Sequence, residues 1–301
     1  MYFDKKYRPK SLSQFIGNST LKKIIRSFPS DPPSLVLLYG ITGCGKTTLA
    51  RIIADMLGYQ LIDFNIADMG GIDSARYIIS SSKVMSMEKK GKAFFLDEYQ
   101  GANKYFMNTL LKSTEEPQPN TIFIMATTEP QHLLPANKSR ALSLEVKPLT
   151  ESQSILLLSR VCKHENLSFE KRILTNIHNA ASGIPRQELI ILNSISKLNS
   201  EEEIDEYLIQ LELEGTGSKQ LNELCKALLN HDSFKNVMAI LKKLEDKPET
   251  IRRGILGYMN KILLNGRMDK QAAMVLCSFV DCKAIEIGLP AITNSIVNLY
   301  F

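Results

Sequence analysis

Residues Gly40-Ile41-Thr42-Gly43-Cys44-Gly45-Lys46-Thr47 match the pattern G-x-x-x-x-G-K-[ST] in full. Residue types in that order can hold a triphosphate. Glycines let backbone N–H groups turn inward around phosphates, and a following helix adds the positive end of its dipole. Lys46 brings a point charge to the β- and γ-phosphates, and the Thr47 hydroxyl is a ligand for Mg²⁺. Further along, the apolar run Phe94-Phe95-Leu96 ends in Asp97 and Glu98. Acids at the end of such a strand set Asp97 beside Mg²⁺ and Glu98 where it can polarise an attacking water. Neither half is decisive alone. Acids gather at helix N-termini in any case, and a chance match to the glycine pattern is expected in roughly one chain per hundred of this length. Together they read as an ATP hydrolysis site.

These groups need a scaffold, and the first half of the chain has the pattern for one. Ser34 to Tyr39 is a compact apolar run that ends at the glycine loop. Thr47 to Leu57 then has helical spacing in Leu49, Ile52, Ile53, Met56 and Leu57. Residues 60–64, 93–96 and 121–126 read as further strands. Strands alternating with helices predict a parallel sheet covered on both faces, which is why the runs are continuously apolar. The character changes near Pro148. From Thr150 onward the pattern is amphipathic helix, broken at Gly183-Ile184-Pro185 and around Gly215-Thr216-Gly217. The predicted division is 1–148, 149–214 and 215–301. In the last part Leu221, Leu224, Cys225, Leu228 and Leu229 form an apolar stripe, which is more often core than a contact between subunits.

Composition sets outer bounds. At roughly 150 residues per domain, 301 residues suggest two domains, or three small ones. No apolar run approaches the ~20 residues of a membrane span, so no membrane is expected among the partners. The basic N-terminus has no apolar core behind it, so no signal peptide is expected. Five cysteines without a CxxC pair read as free thiols. The formal net charge is +5, a weak pointer to nucleic acid. Residues 1–50 carry eight basic and two acidic side chains, whereas 201–214 carry seven acids and no base.

Beyond the glycine loop and the acid pair, six stretches resemble, in order, the motifs of clamp-loader ATPases within the AAA+ superfamily. That family includes the gamma subunit of bacterial DNA polymerase III and the small subunits of replication factor C. Lys6-Tyr7-Arg8-Pro9-Lys10 with Phe15-Ile16-Gly17 resembles the family's opening. Asn65-Ile66-Ala67-Asp68 with Gly71-Ile72-Asp73 and Arg76 resembles the "G-I-D-x-x-R" stretch. Asn108 to Pro117 resembles the "NALLKxLEEP" helix. Ala126-Thr127-Thr128-Glu129-Pro130-Gln131 resembles "ATTDPQ", Ser139-Arg140 resembles "SRC", and Gly183-Ile184-Pro185-Arg186 resembles "G-x-x-R". The likeness covers residues 5 to about 190. Three departures stand out: Ala141 replaces the cysteine of "SRC", no cysteine lies between Cys44 and Cys162 to build a zinc module, and Met69-Gly70-Gly71 lacks the basic residues that some members place there.

The resemblance implies an α/β P-loop AAA+ core with a parallel sheet, then a helical lid and an all-α collar that holds subunits in a ring of five. It implies that Tyr7, Arg8, Pro9 and Ile16 line the adenine pocket. Gly40, Gly43, Cys44, Gly45, Lys46, Thr47 and Thr48 would hold the phosphates of ATP, with Mg²⁺ on Thr47 and Asp97. Thr128 would be a first nucleotide sensor and Arg186 a second. Arg140 would act in trans as an arginine finger beside the catalytic Glu98, Asp97 and Lys46, while Lys112 and Arg76 would face DNA. The implied partners are a sliding clamp, primer–template DNA and other loader subunits, in the cytoplasm or at the nucleoid of a bacterial or phage-infected cell. Two alternatives stay open: a AAA+ branch-migration or recombination motor, and a scaffold that binds ATP without hydrolysing it.

Overall fold

Every strand of the sheet is parallel, so all five C-terminal ends open on one edge. A computed structural model describes residues 2–84, 89–198, 200–214, 219–244, 246–264 and 269–301. The strands are β1 (Leu35–Tyr39), β2 (Tyr59–Asn65), β3 (Gly91–Asp97), β4 (Thr121–Thr127) and β5 (Leu142–Glu145). Their order is β2-β3-β4-β1-β5. Register pairs Leu37 with Met125 across β1 and β4, and Phe94 with Phe123 across β3 and β4.

The continuous apolar runs have the expected cause. Within β1, Leu35 and Leu37 enter a core with Phe94, Leu96, Phe106 and Phe123. The alternate residues Val36 and Leu38 enter the opposite core, with Ile52, Ile53, Phe95 and Ile124. Successive side chains on a strand point to opposite faces, so a strand buried on both must be apolar throughout. β5 was not anticipated. It is a four-residue edge strand in which only Leu144 is fully buried, too short to show a pattern.

By internal contacts the chain forms two units, residues 1–199 and 200–301. The first unit ends in three helices, Glu151–Glu165, Lys171–Ala181 and Pro185–Ile195. Thr150 and Gln153 form a capping box that starts the first of these just past Pro148. The acidic helix Glu201–Glu214 groups with the second unit, whereas the sequence reading ended the lid at 214; its break at 215–217 lies outside the described residues.

In the second unit all regular elements among the described residues are helical. Leu221, Leu224, Cys225 and Leu228 are core there, packed with Ile255, Met259, Val275, Phe279 and Ile292. Burial pushes the Cys225 thiol up to about 12. No helix among the described residues is long and apolar enough to cross a membrane.

The three closing helices of the first unit share one polar cluster. Ser154 Oγ lies 2.9 Å from His178 Nδ1, and His178 Nδ1 lies 3.3 Å from Glu188 Oε1. Glu188 is fully buried and its Oε2 has no hydrogen-bond partner. Burial raises its carboxyl above the usual 4.5, against the opposing pull of Ser154 and His178. A raised acid holds its proton longer in the folded than in the unfolded chain. Its stabilising contribution is therefore complete below the unfolded value and lost as pH rises through the folded one. Glu188→Gln keeps the shape without the charge. We expect its Tm advantage over the parent to grow from pH 5 to pH 8 in thermal melts; a constant difference contradicts a buried charge.

Candidate functional site

β1 ends at Tyr39, and the glycine loop carries the chain from there into the helix Lys46–Leu57. Two glycines in the loop are required by its shape. Gly40 has φ +140°, and a Cβ there would lie 2.4 Å from the Val146 carbonyl oxygen. Gly43 has φ +89°, and a Cβ would lie 2.7 Å from Ile184 Cγ2, just ahead of the helix that carries Arg186. Both values fall in the left-handed region that favours glycine. The Arg186 N–H donates to the Gly43 carbonyl at 3.4 Å, so the loop and the third closing helix meet backbone to backbone.

A cleft of about 600 Å³ opens beside the loop. Gly43, Cys44, Gly45, Lys46, Thr47 and Thr48 line one wall. The opening segment supplies another wall through Tyr7, Arg8, Pro9 and Ile16, and Asp97, Glu98 and Arg186 complete it. Gly40 takes part only through its carbonyl, which accepts from Lys46 Nζ at 2.7 Å while Ile41 accepts at 3.2 Å. Burial pulls the Lys46 ammonium below its usual value, and nearby Cys44, Asp97 and Glu98 pull the other way. A desolvated cation held by two carbonyls is poised for a stronger, anionic partner. Burial also pushes the Cys44 thiol up, so it behaves as a small apolar side chain.

Thr47 Oγ1 donates to Asp97 Oδ2 at 3.0 Å, and Asp97 Oδ1 accepts the Glu98 N–H at 3.0 Å. A hydroxyl and a carboxylate converging beside a phosphate-type loop suit Mg²⁺, which takes one or two protein oxygens and keeps phosphates and waters as its other ligands. Glu98 adopts φ +52°, a left-handed conformation uncommon for a residue other than glycine.

The structure does not bring every candidate to this cleft. Thr128 sits half-buried just beyond β4; the hydroxyl tied into the site is that of its neighbour Thr127, which donates to Gln100 Oε1 at 2.8 Å. Arg140 does not line the cleft of its own chain. Its guanidinium pairs with Glu115 Oε1 at 2.5 Å and donates to the Ala136 carbonyl. Arg76 is exposed and paired with Asp73 on the helix Ile72–Lys83. That helix packs against Lys104–Glu115, which carries Lys112; the Lys112 side chain lies outside the described residues.

Sequence reasoning missed one wall of the cleft. Leu157, Arg160, Val161 and His164 face it from the helix Glu151–Glu165. Their spacing of i, i+3, i+4 and i+7 was a readable signal, obscured by two polar members in the stripe. The opening segment is pinned to this helix. Glu165 Oε1 accepts from Lys6 Nζ at 2.6 Å and from the Tyr7 hydroxyl at 2.5 Å.

Residues 36–149 match the family described as "ATPase family associated with various cellular activities (AAA)". The DNA polymerase III subunit gamma/tau of Mycobacterium tuberculosis is 27% identical over 220 residues, covering 64% of this chain and 38% of that protein. The chain thus spans well under half the length of that relative. The DNA polymerase III subunit gamma of Buchnera aphidicola subsp. Baizongia pistaciae is 25% identical over 274 residues, covering 80% and 72%. A replication factor C large subunit from Aeropyrum pernix is 27% identical over 208 residues, covering 64% and 42%. Among solved structures, the Thermotoga maritima RuvB Holliday junction branch migration motor aligns with a TM-score of 0.60 at 22% identity, over 78% of this chain and 85% of that one. At that identity the likeness is one of fold.

Gly43→Val should lower affinity for a fluorescent ATP analogue at least roughly tenfold while far-ultraviolet dichroism stays unchanged, because a branched side chain at φ +89° closes the loop on Ile184. Affinity within twofold of the parent would show that the loop does not hold the phosphates.

Proposed function

With residues 36–149 forming an AAA ATPase domain in a clamp-loader-like chain, we propose that the protein is an ATP-hydrolysing subunit of a sliding-clamp loader. It would open a clamp and place it on primer–template DNA during replication. The hydrolytic part is carried by one observation: Lys46 and Thr47 meet Asp97 and Glu98 in a single cleft, with Thr47 and Asp97 in hydrogen-bond contact. The coupling to a clamp rests on the sequence likeness to polymerase III gamma and replication factor C subunits.

Each group has a task in that reading. Lys46 leaves the Gly40 and Ile41 carbonyls for the β- and γ-phosphates and neutralises their charge. Thr47 and Asp97 hold Mg²⁺, which neutralises phosphate charge when bound. Glu98 orients the attacking water and accepts its proton. Tyr7, Arg8, Pro9 and Ile16 flank the base, and Arg186 reaches the phosphates from the far side of the cleft. Arg140 exchanges Glu115 for the nucleotide of an adjacent subunit, where a planar guanidinium stabilises charge on the transferring phosphoryl group.

The reading assigns a core to 1–148, a lid to 149–214 and a collar to 215–301 that builds a five-membered ring, although by internal contacts the helix Glu201–Glu214 groups with the collar's unit. Lys112 and Arg76 would face DNA at the centre of that ring, a few contacts per subunit multiplied by assembly. Such work belongs in the cytoplasm or at the nucleoid of a bacterial or phage-infected cell.

The test is the ATPase rate of the assembled complex with and without clamp and primed DNA. Both together should raise the rate at least about tenfold, and Lys46→Ala should abolish clamp loading. A rate indifferent to clamp and DNA sinks the proposal. ATP-driven strand displacement without a clamp favours a branch-migration motor, and undetectable turnover favours a scaffold.

A further inference from the structure

Directly after the acid pair the chain makes a single tight turn, Tyr99–Gly101, before the helix Lys104–Glu115. Gln100 in that turn makes two side-chain hydrogen bonds of opposite sense. Its Nε2 donates to Glu98 Oε2, and its Oε1 accepts from Thr127 Oγ1 at 2.8 Å. Thr127 in turn accepts the Glu129 N–H at 3.0 Å. The four groups form one directed chain, from the Glu129 amide through the Thr127 hydroxyl and the Gln100 amide to the Glu98 carboxylate. The Glu98 carboxylate can only accept, which turns the Gln100 Nε2 toward it and leaves Oε1 to accept from the Thr127 hydroxyl.

The surroundings make this chain stiff. Thr127 is 1% exposed at the end of β4. Tyr99 is fully buried, and its hydroxyl accepts from Asn137 Nδ2 at 3.2 Å, on the helix Pro135–Arg140. The turn cannot slide without breaking that buried contact. Glu98 itself is held at φ +52°, a conformation that persists only where its surroundings impose it.

We propose that Gln100 is a positioning residue that orients the Glu98 carboxylate and ties it to the end of β4, so that Glu98 follows the strand end that leads into Thr128. This rests on the hydrolytic role given to Glu98 above. Nothing in the function already described requires a carboxamide at position 100. A glutamine supplies both a donor and an acceptor on one planar group, which is what a link between a carboxylate and a hydroxyl needs. Leucine supplies neither, and glutamate of the same size replaces the donor with a like charge.

The experiment is steady-state ATP hydrolysis by the assembled complex, with Tm and nucleotide affinity measured in parallel. Gln100→Leu and Gln100→Glu should each lower kcat about tenfold or more, with KM for ATP within twofold of the parent and Tm little changed. Thr127→Val should lower kcat less. The double variant Gln100→Leu/Thr127→Val should fall no further than Gln100→Leu, since both cut one chain. If Gln100→Leu fails to fold, Gln100→Asn serves: it keeps the amide but is too short to reach both partners, and the same loss of kcat is expected.

Gln100→Glu at parental kcat would overturn the proposal, as would additive losses in the double variant. Glu98→Gln separates this inference from the reading beneath it. If Glu98→Gln abolishes turnover while the Gln100 variants do not, the link alone is wrong. If Glu98→Gln leaves turnover intact, the role of Glu98 is wrong and the link falls with it.

Discussion

The hydrogen bond between Thr47 and Asp97 joins the helix that follows β1 to the end of β3, and those two strands are not neighbours. β1 delivers the glycine loop and β3 delivers the acid pair, yet β4 lies between them in the sheet. The 3.0 Å contact therefore spans a strand that belongs to neither side. It can form only because all three strands run parallel and end level, a condition set by the register of Leu37 with Met125 and Phe94 with Phe123. A slip of one residue on β4 would turn Phe123 and Met125 to the wrong face as well as shift the site. Core packing and site geometry are thus one constraint.

Electrostatics then act on that frame. Lys46 is buried among loop carbonyls, and both acids stand nearby without reaching it by hydrogen bond. Its charge is under-compensated by the protein's own groups, which makes it an attraction for an anionic ligand. The peripheral charges contrast with it. Arg76 with Asp73 and Lys147 with Glu145 are exposed pairs that contribute little to stability. The net charge of +5 is thus a poor guide, because it counts the buried Lys46 and these exposed side chains alike.

Much of this was legible in the sequence, and for identifiable reasons. Strands buried on both faces must be apolar throughout, so β1, β3 and β4 announced themselves, and the glycine loop and acid pair have residue types that few other roles require. β5 left no trace because an edge strand of four residues with one buried side chain carries almost no pattern. Gln100, Asn137 and Glu115 were invisible for another reason. Each is an ordinary polar residue whose meaning comes from a partner brought close only by folding: Glu98 and Thr127, Tyr99, and Arg140. Thr127 and Thr128 show the same limit at single-residue scale. A strand end defines which position is last but not which of two adjacent hydroxyls bonds Gln100.

The clasp between the opening segment and Glu165 bears on how the protein is made. Lys6 and Tyr7 emerge from the ribosome long before the helix they grip, because 158 residues separate Tyr7 from Glu165. At roughly 5–20 residues per second, that interval is on the order of 10–30 s. Over that time the sheet can assemble around β1 and β4, but the cleft has no far wall and its first residues have no anchor. Nucleotide can engage a finished pocket only after Arg186 is synthesised. Until then the nascent core relies on its packing, with only the glycine loop and the acid pair in place to meet a ligand.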